Sequence, residues 1–238
     1  TVLCLTMNPS VDVSTHTERV VPTDKLRCSP ARRDAGGGGL NVARVVQRLG
    51  GHSSALFPAG GPAGDWLVSH LQSAGLPVRR LPLSEDTREN FTVQAQDTGA
   101  EFRFVLPGPT LTESEWTACL AAIETLPLLP AVVVASGSLP PGVPTDFYAR
   151  LALIVRSRGS RLVLDSSGPA LAAGVATGVY LVKPNLRELR DLTNLPLETP
   201  TQWRQAAQTL VDAGRAEVVA LTLGEQGALL VTQDGAWR

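Results

Sequence analysis

Short apolar runs alternate along this chain with segments of helical period. Runs at 2–7, 54–58, 131–135, 161–165, 180–183 and 218–223 are nearly continuous in apolar residues and bounded by turn residues, the pattern of strands covered on both faces. Between them the spacing predicts helices near 40–49, 64–74, 112–125, 145–158, 185–193 and 201–213. Thr112 and Glu115 have the spacing of a capping box, and Gly159 and Gly214 stand where two of these helices should close. The alternation predicts an α/β fold with a doubly wound, mostly parallel sheet, whose ligands bind beyond the carboxyl ends of the strands.

Residues 12–34 and 85–107 break the rhythm. Residues 90–96, then Asp97-Thr98-Gly99, then 100–106 read as a β-hairpin. The two segments are expected to form one small antiparallel β lid, inserted into an α/β domain of residues 1–11, 35–84 and 108–238. So small a layer leaves one face in need of a partner, which could be a ligand, a second subunit or both. Asp234-Gly235 reads as a hairpin turn, with Trp237-Arg238 beginning a further strand.

Gly36-Gly37-Gly38-Gly39-Leu40-Asn41 opens onto the first predicted helix, where Val42, Val45, Val46 and Leu49 form an apolar stripe and Gly50 stands at the C-terminal cap. Consecutive glycines are costly to order. At a helix start they let backbone N–H groups and the positive end of the helix dipole approach oxygen-rich groups, a flexible turn being the alternative. Leu40 and Asn41 stand where a P-loop needs Lys and then Ser or Thr. A dinucleotide fingerprint is excluded as well, because Arg32, Arg33 and Asp34 replace the buried strand before it and Asn41 replaces its third glycine.

Composition narrows the class. The 238 residues are 43% hydrophobic and 18% charged with a formal charge of −1, which gives no general electrostatic footprint for nucleic acid or a membrane. Any anion site is therefore local. Cys4, Cys28 and Cys119 are odd in number and widely spaced, which argues against a disulfide framework and for a reducing compartment, the cytoplasm.

Several motifs occur in order: Asn8-Pro9-Ser10-Val11-Asp12, the glycine run with Asn41, Ala135-Ser136-Gly137-Ser138-Leu139-Pro140, and Lys183-Pro184-Asn185 with Glu188. Through them the whole chain resembles the ribokinase-like (PfkB) carbohydrate kinases. Lys25-Leu26-Arg27-Cys28, Phe57-Pro58-Ala59-Gly60-Gly61 and Asp165-Ser166-Ser167-Gly168 bring it closest to the bacterial minor-type 6-phosphofructokinase branch. The resemblance implies transfer of phosphate from ATP, with Mg²⁺, to a ketohexose phosphate. Fructose 6-phosphate, giving fructose 1,6-bisphosphate in glycolysis, is the expected substrate. Tagatose 6-phosphate, fructose 1-phosphate and a non-catalytic sugar-phosphate sensor are the alternatives. A homodimer through the β lid is implied as well.

Individual residues fit that chemistry. Asp12 can orient a polyol by accepting from two adjacent hydroxyls, or can be a solvated loop carboxylate. Asn41 can complement it or cap the helix, and the resemblance adds Gly37, Gly38 and Ser138 to the sugar site. Arg27, Arg88 and Arg103 lie in or beside the lid, where guanidinium groups either hold a phosphate bidentately or solvate a strand. Asn185 and Glu188 suit Mg²⁺ held through water or, equally, a helix start that favours an acid. Lys183 can reach phosphate or only the sheet edge. Thr222, Gly224 and Gly227 resemble the family's nucleotide loop or a plain tight hairpin, and Lys25 matches a lid lysine that reaches nucleotide in a neighbouring subunit. The glycines are thus expected to admit the sugar, leaving phosphate to the lid.

The resemblance also implies a Gly-Ala-Gly-Asp element whose aspartate is the general base. No such sequence occurs in residues 1–238, so the base is expected beyond Arg238, the C-terminal part of the domain is expected to be missing, and the chain is expected to be inactive alone.

Overall fold

A computed structural model describes residues 1–238. After β1 (Val2–Leu5) the chain forms β2 (Ser10–Thr17) and β3 (Arg32–Gly36), then α1 (Gly38–Arg48), β4 (Ser53–Ala59), α2 (Gly61–Ser73) and β5 (Val78–Pro82). An excursion through β6 (Arg88–Ala95) and β7 (Glu101–Phe104) precedes α3 (Glu113–Glu124), β8 (Val132–Ser136), α4 (Phe147–Ser157), β9 (Arg161–Asp165) and α5 (Gly168–Ala176). The rest comprises β10 (Val179–Val182), α6 (Leu186–Thr193), α7 (Pro200–Asp212), β11 (Ala216–Thr222), a 3₁₀ turn at Gly224–Gln226, β12 (Ala228–Thr232) and β13 (Gly235–Trp237).

The main sheet runs β13-β12-β11-β10-β9-β8-β1-β4-β5 and is parallel from β11 to β5, with β12 and β13 antiparallel at one edge. The winding reverses at β1, which lies between β4 and β8. The carboxyl ends of β1 and β8 are therefore the place where such a fold opens a crevice.

Strand alternation sorts the core into two layers. Leu3, Leu5, Leu56, Val133, Leu162 and Leu164 face Ile123, Phe147, Tyr148 and Leu151 of α3 and α4 in one cluster, which extends to α7. Cys4, Ala55, Phe57 and Val134 face the other way, against Leu40 and Ala43 of α1 and Leu67 and Leu71 of α2. Val11 and Ala35 root the small sheet in this second layer. Farther along the same face, Val163, Leu181, Val218 and Ala220 are only half-buried.

The small sheet has the order β3-β2-β6-β7. Its outer pairs are antiparallel, and the central pair β2 and β6 is parallel, a detail the periodicity did not disclose. It begins at Ser10, two residues before the expected boundary.

The first helix departs from expectation. It starts at Gly38, and Val45 and Leu49 of the proposed apolar stripe are 50% and 82% exposed. Its buried residues are Gly39, Leu40 and Ala43, because α1 presses its backbone against β1: a Cβ on Gly39 would lie 2.4 Å from the Leu5 carbonyl oxygen. The stretch Arg32-Arg33-Asp34 does form a strand, but one on the edge of the small sheet with its arginines exposed, so the dinucleotide fingerprint stays excluded.

Candidate active site

Every segment singled out for ligand contact, apart from Lys25 and Arg27, meets the carboxyl ends of parallel strands or the face of the small sheet above them. Register places Ser10, Asp12, Arg88, Asn90 and Arg103 on one face: Ser10 is opposite Arg88, Asp12 opposite Asn90, and Thr92 opposite Arg103. The other face carries Val13, Phe91, Val93, Phe102 and Phe104.

On the polar face one Asp12 oxygen, Oδ1, accepts from Ser10 Oγ at 2.7 Å and from Asn90 Nδ2 at 2.9 Å. Asn90 is in turn held by the Leu106 N–H donating to its Oδ1 at 3.1 Å. The carboxylate is thus oriented before any ligand arrives, with Oδ2 left without a hydrogen bond. Arg88 donates from Nη1 to the Leu106 carbonyl at 2.9 Å and from Nη2 to the Asn8 carbonyl at 3.0 Å. Burial lowers the pKa of its guanidinium, while the Asp12 charge works in the opposite direction, and the group stays cationic. Its Nε is buried without a partner, as is Asn8 Oδ1. Each such orphan costs about 1–3 kcal/mol, so the cluster is set up at the expense of stability.

Arg103 lies on the same face, exposed and without an ion-pair partner. The main chain of Arg27 lies elsewhere. Its carbonyl accepts from Thr17 Oγ1 at 3.0 Å, at the far end of β2. Thr17 lies five residues beyond Asp12 on β2, which is about 17 Å at the rise of a strand, so the Arg27 backbone stands well apart from Asp12 within one chain. Lys25 occupies the same exposed connector, which has no regular secondary structure.

The glycine run has a packing reason in addition to the one its sequence implies. A Cβ on Gly38 would lie 2.1 Å from Ser136 Oγ, and Gly37 adopts φ +125. The glycines let the helix start pack against β1 and β8, and Leu40 N–H donates to Thr6 Oγ1 at 3.0 Å. No side chain caps α1 at Gly37, which leaves the dipole end to the crevice. Asn41 is not a cap: it is exposed one turn inside α1, and its Oδ1 accepts from Arg44.

Beyond β8, Gly137 is fixed by Tyr148 OH donating to its carbonyl at 2.9 Å, by Ser166 Oγ at 3.0 Å and by its own N–H donating to the Asp165 carbonyl at 2.9 Å. Burial raises the pKa of the Tyr148 phenol far above its usual value, so it remains a donor. The next residue, Ser138, is exposed and accepts from Asn8 Nδ2 at 3.3 Å. Asp165, at the end of β9, accepts from Ser136 Oγ at 2.9 Å and pairs with Lys183 Nζ at 3.0 Å. Lys183 is thereby turned toward the end of β9.

Asn185 and Glu188 close a capping box at the start of α6: Glu188 N–H donates to Asn185 Oδ1 at 2.9 Å, and Asn185 N–H to Glu188 Oε2 at 2.8 Å. The other Glu188 oxygen, Oε1, accepts no hydrogen bond. No group of three or more His, Cys, Asp or Glu gathers anywhere as a metal cage. That donor set fits Mg²⁺, which retains waters and substrate phosphates as ligands. Thr222 bridges to this start through its N–H and Oγ1 to the Pro184 carbonyl, at 2.9 and 3.3 Å. Gly224 and Gly227, at φ +60 and +87, turn the chain from β11 into β12. Four strand spacings separate β1 from β11, about 19 Å, a span suited to a nucleoside triphosphate facing a small substrate.

Asn8, Asn90, Ser136 and Asp165 are not assigned from sequence, because an amide or a hydroxyl carries no signal until its partners are known, and Asp165 takes its place only through Ser136 and Lys183. Ala63-Gly64-Asp65 resembles part of the expected catalytic element, but Asp65 pairs with Arg80 of β5, away from β8.

Comparison with known proteins places the chain in a family. Residues 5–238 match the model of the pfkB family of carbohydrate kinases. The ATP-dependent 6-phosphofructokinase isozyme 2 of Mycobacterium tuberculosis is 48% identical over 237 residues, covering 100% of this chain and 70% of the relative. The isozyme 2 of Escherichia coli K12 is 42% identical over 97% of this chain and 74% of its own length. The 1-phosphofructokinase of Bacillus subtilis is 31% identical over 98% of this chain and 75% of its own length. Among solved structures, Escherichia coli phosphofructokinase-2 in complex with fructose-6-phosphate aligns with TM-score 0.95 and 41% identity, covering 100% of this chain and 78% of that one. Its tetrameric inhibited form aligns at TM-score 0.94 with 41% identity, over 99% of this chain and 78% of that one.

Proposed function

Since the chain belongs to the pfkB family of carbohydrate kinases, we propose that it serves ATP-dependent phosphorylation of a ketohexose phosphate, with fructose 6-phosphate as substrate. The observation that carries this reading is the shared polar face on which an oriented carboxylate, Asp12, stands beside two guanidinium groups, Arg88 and Arg103. A free sugar has no use for the guanidinium pair. Fructose 6-phosphate is preferred over its isomers because the 6-phosphofructokinases are the more similar relatives, at 48% and 42% identity against 31%.

Asp12 and Asn41 hold sugar hydroxyls at the uncapped start of α1, with Gly37 and Gly38 bringing the backbone close and Ser138 lining the opposite wall. Arg88 and Arg103 hold the phosphate of the substrate. Lys183, Asn185, Thr222, Gly224 and Gly227 receive the nucleotide, and Glu188 holds Mg²⁺. When bound, that ion offsets phosphate charge. Catalysis by these residues is orientation and charge neutralisation of an in-line transfer. The base belongs to the Gly-Ala-Gly-Asp element that the resemblance expects, a sequence absent from residues 1–238. A second copy of the chain covers the aromatic face of the small sheet, with Lys25 and Arg27 reaching across to it. The three free cysteines fit a reducing, cytoplasmic setting.

Replacing Arg88 tests the reading. Arg88→Ala is expected to weaken fructose 6-phosphate by about tenfold or more while MgATP changes by less than about twofold. Equal losses for the two ligands would remove the phosphate-anchor role.

A further inference from the structure

We propose that Asn8 is a positioning residue that sets both the arginine and the serine of the sugar-phosphate site. The inference rests on the reading of that site given above. Asn8 follows β1 at the switch point and is 7% exposed. Its carbonyl accepts from Arg88 Nη2 at 3.0 Å, and its side-chain amide donates to Ser138 Oγ at 3.3 Å. A third segment closes over it, since a Cβ on Gly108 would lie 2.1 Å from Asn8 Oδ1. One residue thus joins three segments: its main-chain carbonyl holds the start of β6 through Arg88, and its side chain meets the loop after β8 and the chain returning from the small sheet.

The chemistry explains why an amide stands here. Because Asn8 Nδ2 is the donor, Ser138 Oγ accepts, and the serine proton remains free for a ligand oxygen. An aspartate would reverse that bond, accepting the serine proton for itself. It would also put a negative charge beside Arg88 and weaken that group's attraction for a phosphate dianion. An alanine would leave Ser138 unheld. The buried Oδ1 without a partner belongs to the same arrangement, in which the amide end of the side chain, rather than its oxygen, is the end in use.

Calorimetric titration with fructose 6-phosphate and, separately, with a non-hydrolysable MgATP analogue tests this on the native chain, Asn8→Asp, Asn8→Ala, Ser138→Ala and the Asn8→Ala/Ser138→Ala double variant. Asn8→Asp is expected to weaken the sugar phosphate by about tenfold or more and the nucleotide by less than about twofold. The losses in Asn8→Ala and Ser138→Ala are expected to be non-additive in the double variant, because one acts through the other. Equal weakening of both ligands, or additive losses, would overturn the proposal. The Arg88 Nε–H resonance supplies a readout that needs no ligand. Asn8→Asp keeps the main-chain carbonyl that Arg88 grips and sets a carboxylate beside it, so it is expected to displace this resonance and alter its exchange rate, and an unmoved resonance overturns the role toward Arg88. A native chain that binds no ketose phosphate, together with a displaced resonance, refutes the functional reading and leaves the positioning of Arg88 standing.

Discussion

Asp12 is held by Ser10 and Asn90 through one oxygen, so the second can meet a ligand without rearrangement. Asp12→Ala is expected to weaken fructose 6-phosphate by about tenfold or more with little loss of thermal stability, measured by titration and melting on the same preparation. Asp12, Arg88 and Arg103 were legible in sequence because charge on a short strand beside a ligand loop is conspicuous. Asn90, which orients Asp12, was not: it reads as one more polar position in a hairpin. Arg27 was grouped with the other arginines by type, and its bond to Thr17 sets it at the far end of β2. For Asn185 and Glu188 the structure shows the capping box, which uses one carboxylate oxygen; spacing alone could not separate that from the Mg²⁺ role proposed for Glu188.

Among the elements, strands with continuous apolar runs were legible because the sheet buries them on both faces. α5 was missed because its sequence, Gly-Pro-Ala-Leu-Ala-Ala-Gly-Val-Ala, has no polar face to make a period visible. β5 was missed because Arg79 and Arg80 interrupt its apolar pattern, Arg80 donating to the Ala59 carbonyl at 2.7 Å. The glycine run was legible as special, but the close approach it permits is first of all to Ser136. Gly38→Ala is accordingly expected to lower stability by about 1–3 kcal/mol, the usual cost of overpacking, and Ser136→Gly in the same chain to restore part of it in denaturant titrations. The start of α3 gives a pH dependence. Desolvation raises the Glu115 pKa, but hydrogen bonds from the N–H and hydroxyl groups of Thr112 and Ser84 outweigh it and hold the carboxyl at about 2, against an ordinary 4.5. A depressed carboxyl contributes stability above its unfolded pKa and loses it as pH falls through the folded value. Stability is therefore expected to decline between pH 4.5 and 2 in the native chain, and less steeply in Glu115→Gln.

For the whole molecule, the two faces of the small sheet divide the work. One gathers the groups proposed to hold the ligand, and the other exposes Phe104 at 55% with Phe91 and Phe102 at 39%, the surface proposed to meet a second copy. Phe104→Asp is expected to shift the chain toward monomer in sedimentation at concentrations where the native chain associates. No helix is long and apolar enough to cross a membrane. The switch point at β1 brings segments more than a hundred residues apart, Asn8 and Ser138, into one wall, which explains why local pattern located the ligand loops and could not show how they meet. The central claim is that the crevice takes a phosphorylated ketose through the arginines of the small sheet. Titration of the native chain with fructose 6-phosphate and with fructose, side by side, tests it most directly. The phosphate ester is expected to bind tighter by about a hundredfold, as two charge-assisted contacts require, and equal affinity for the two sugars would contradict the account.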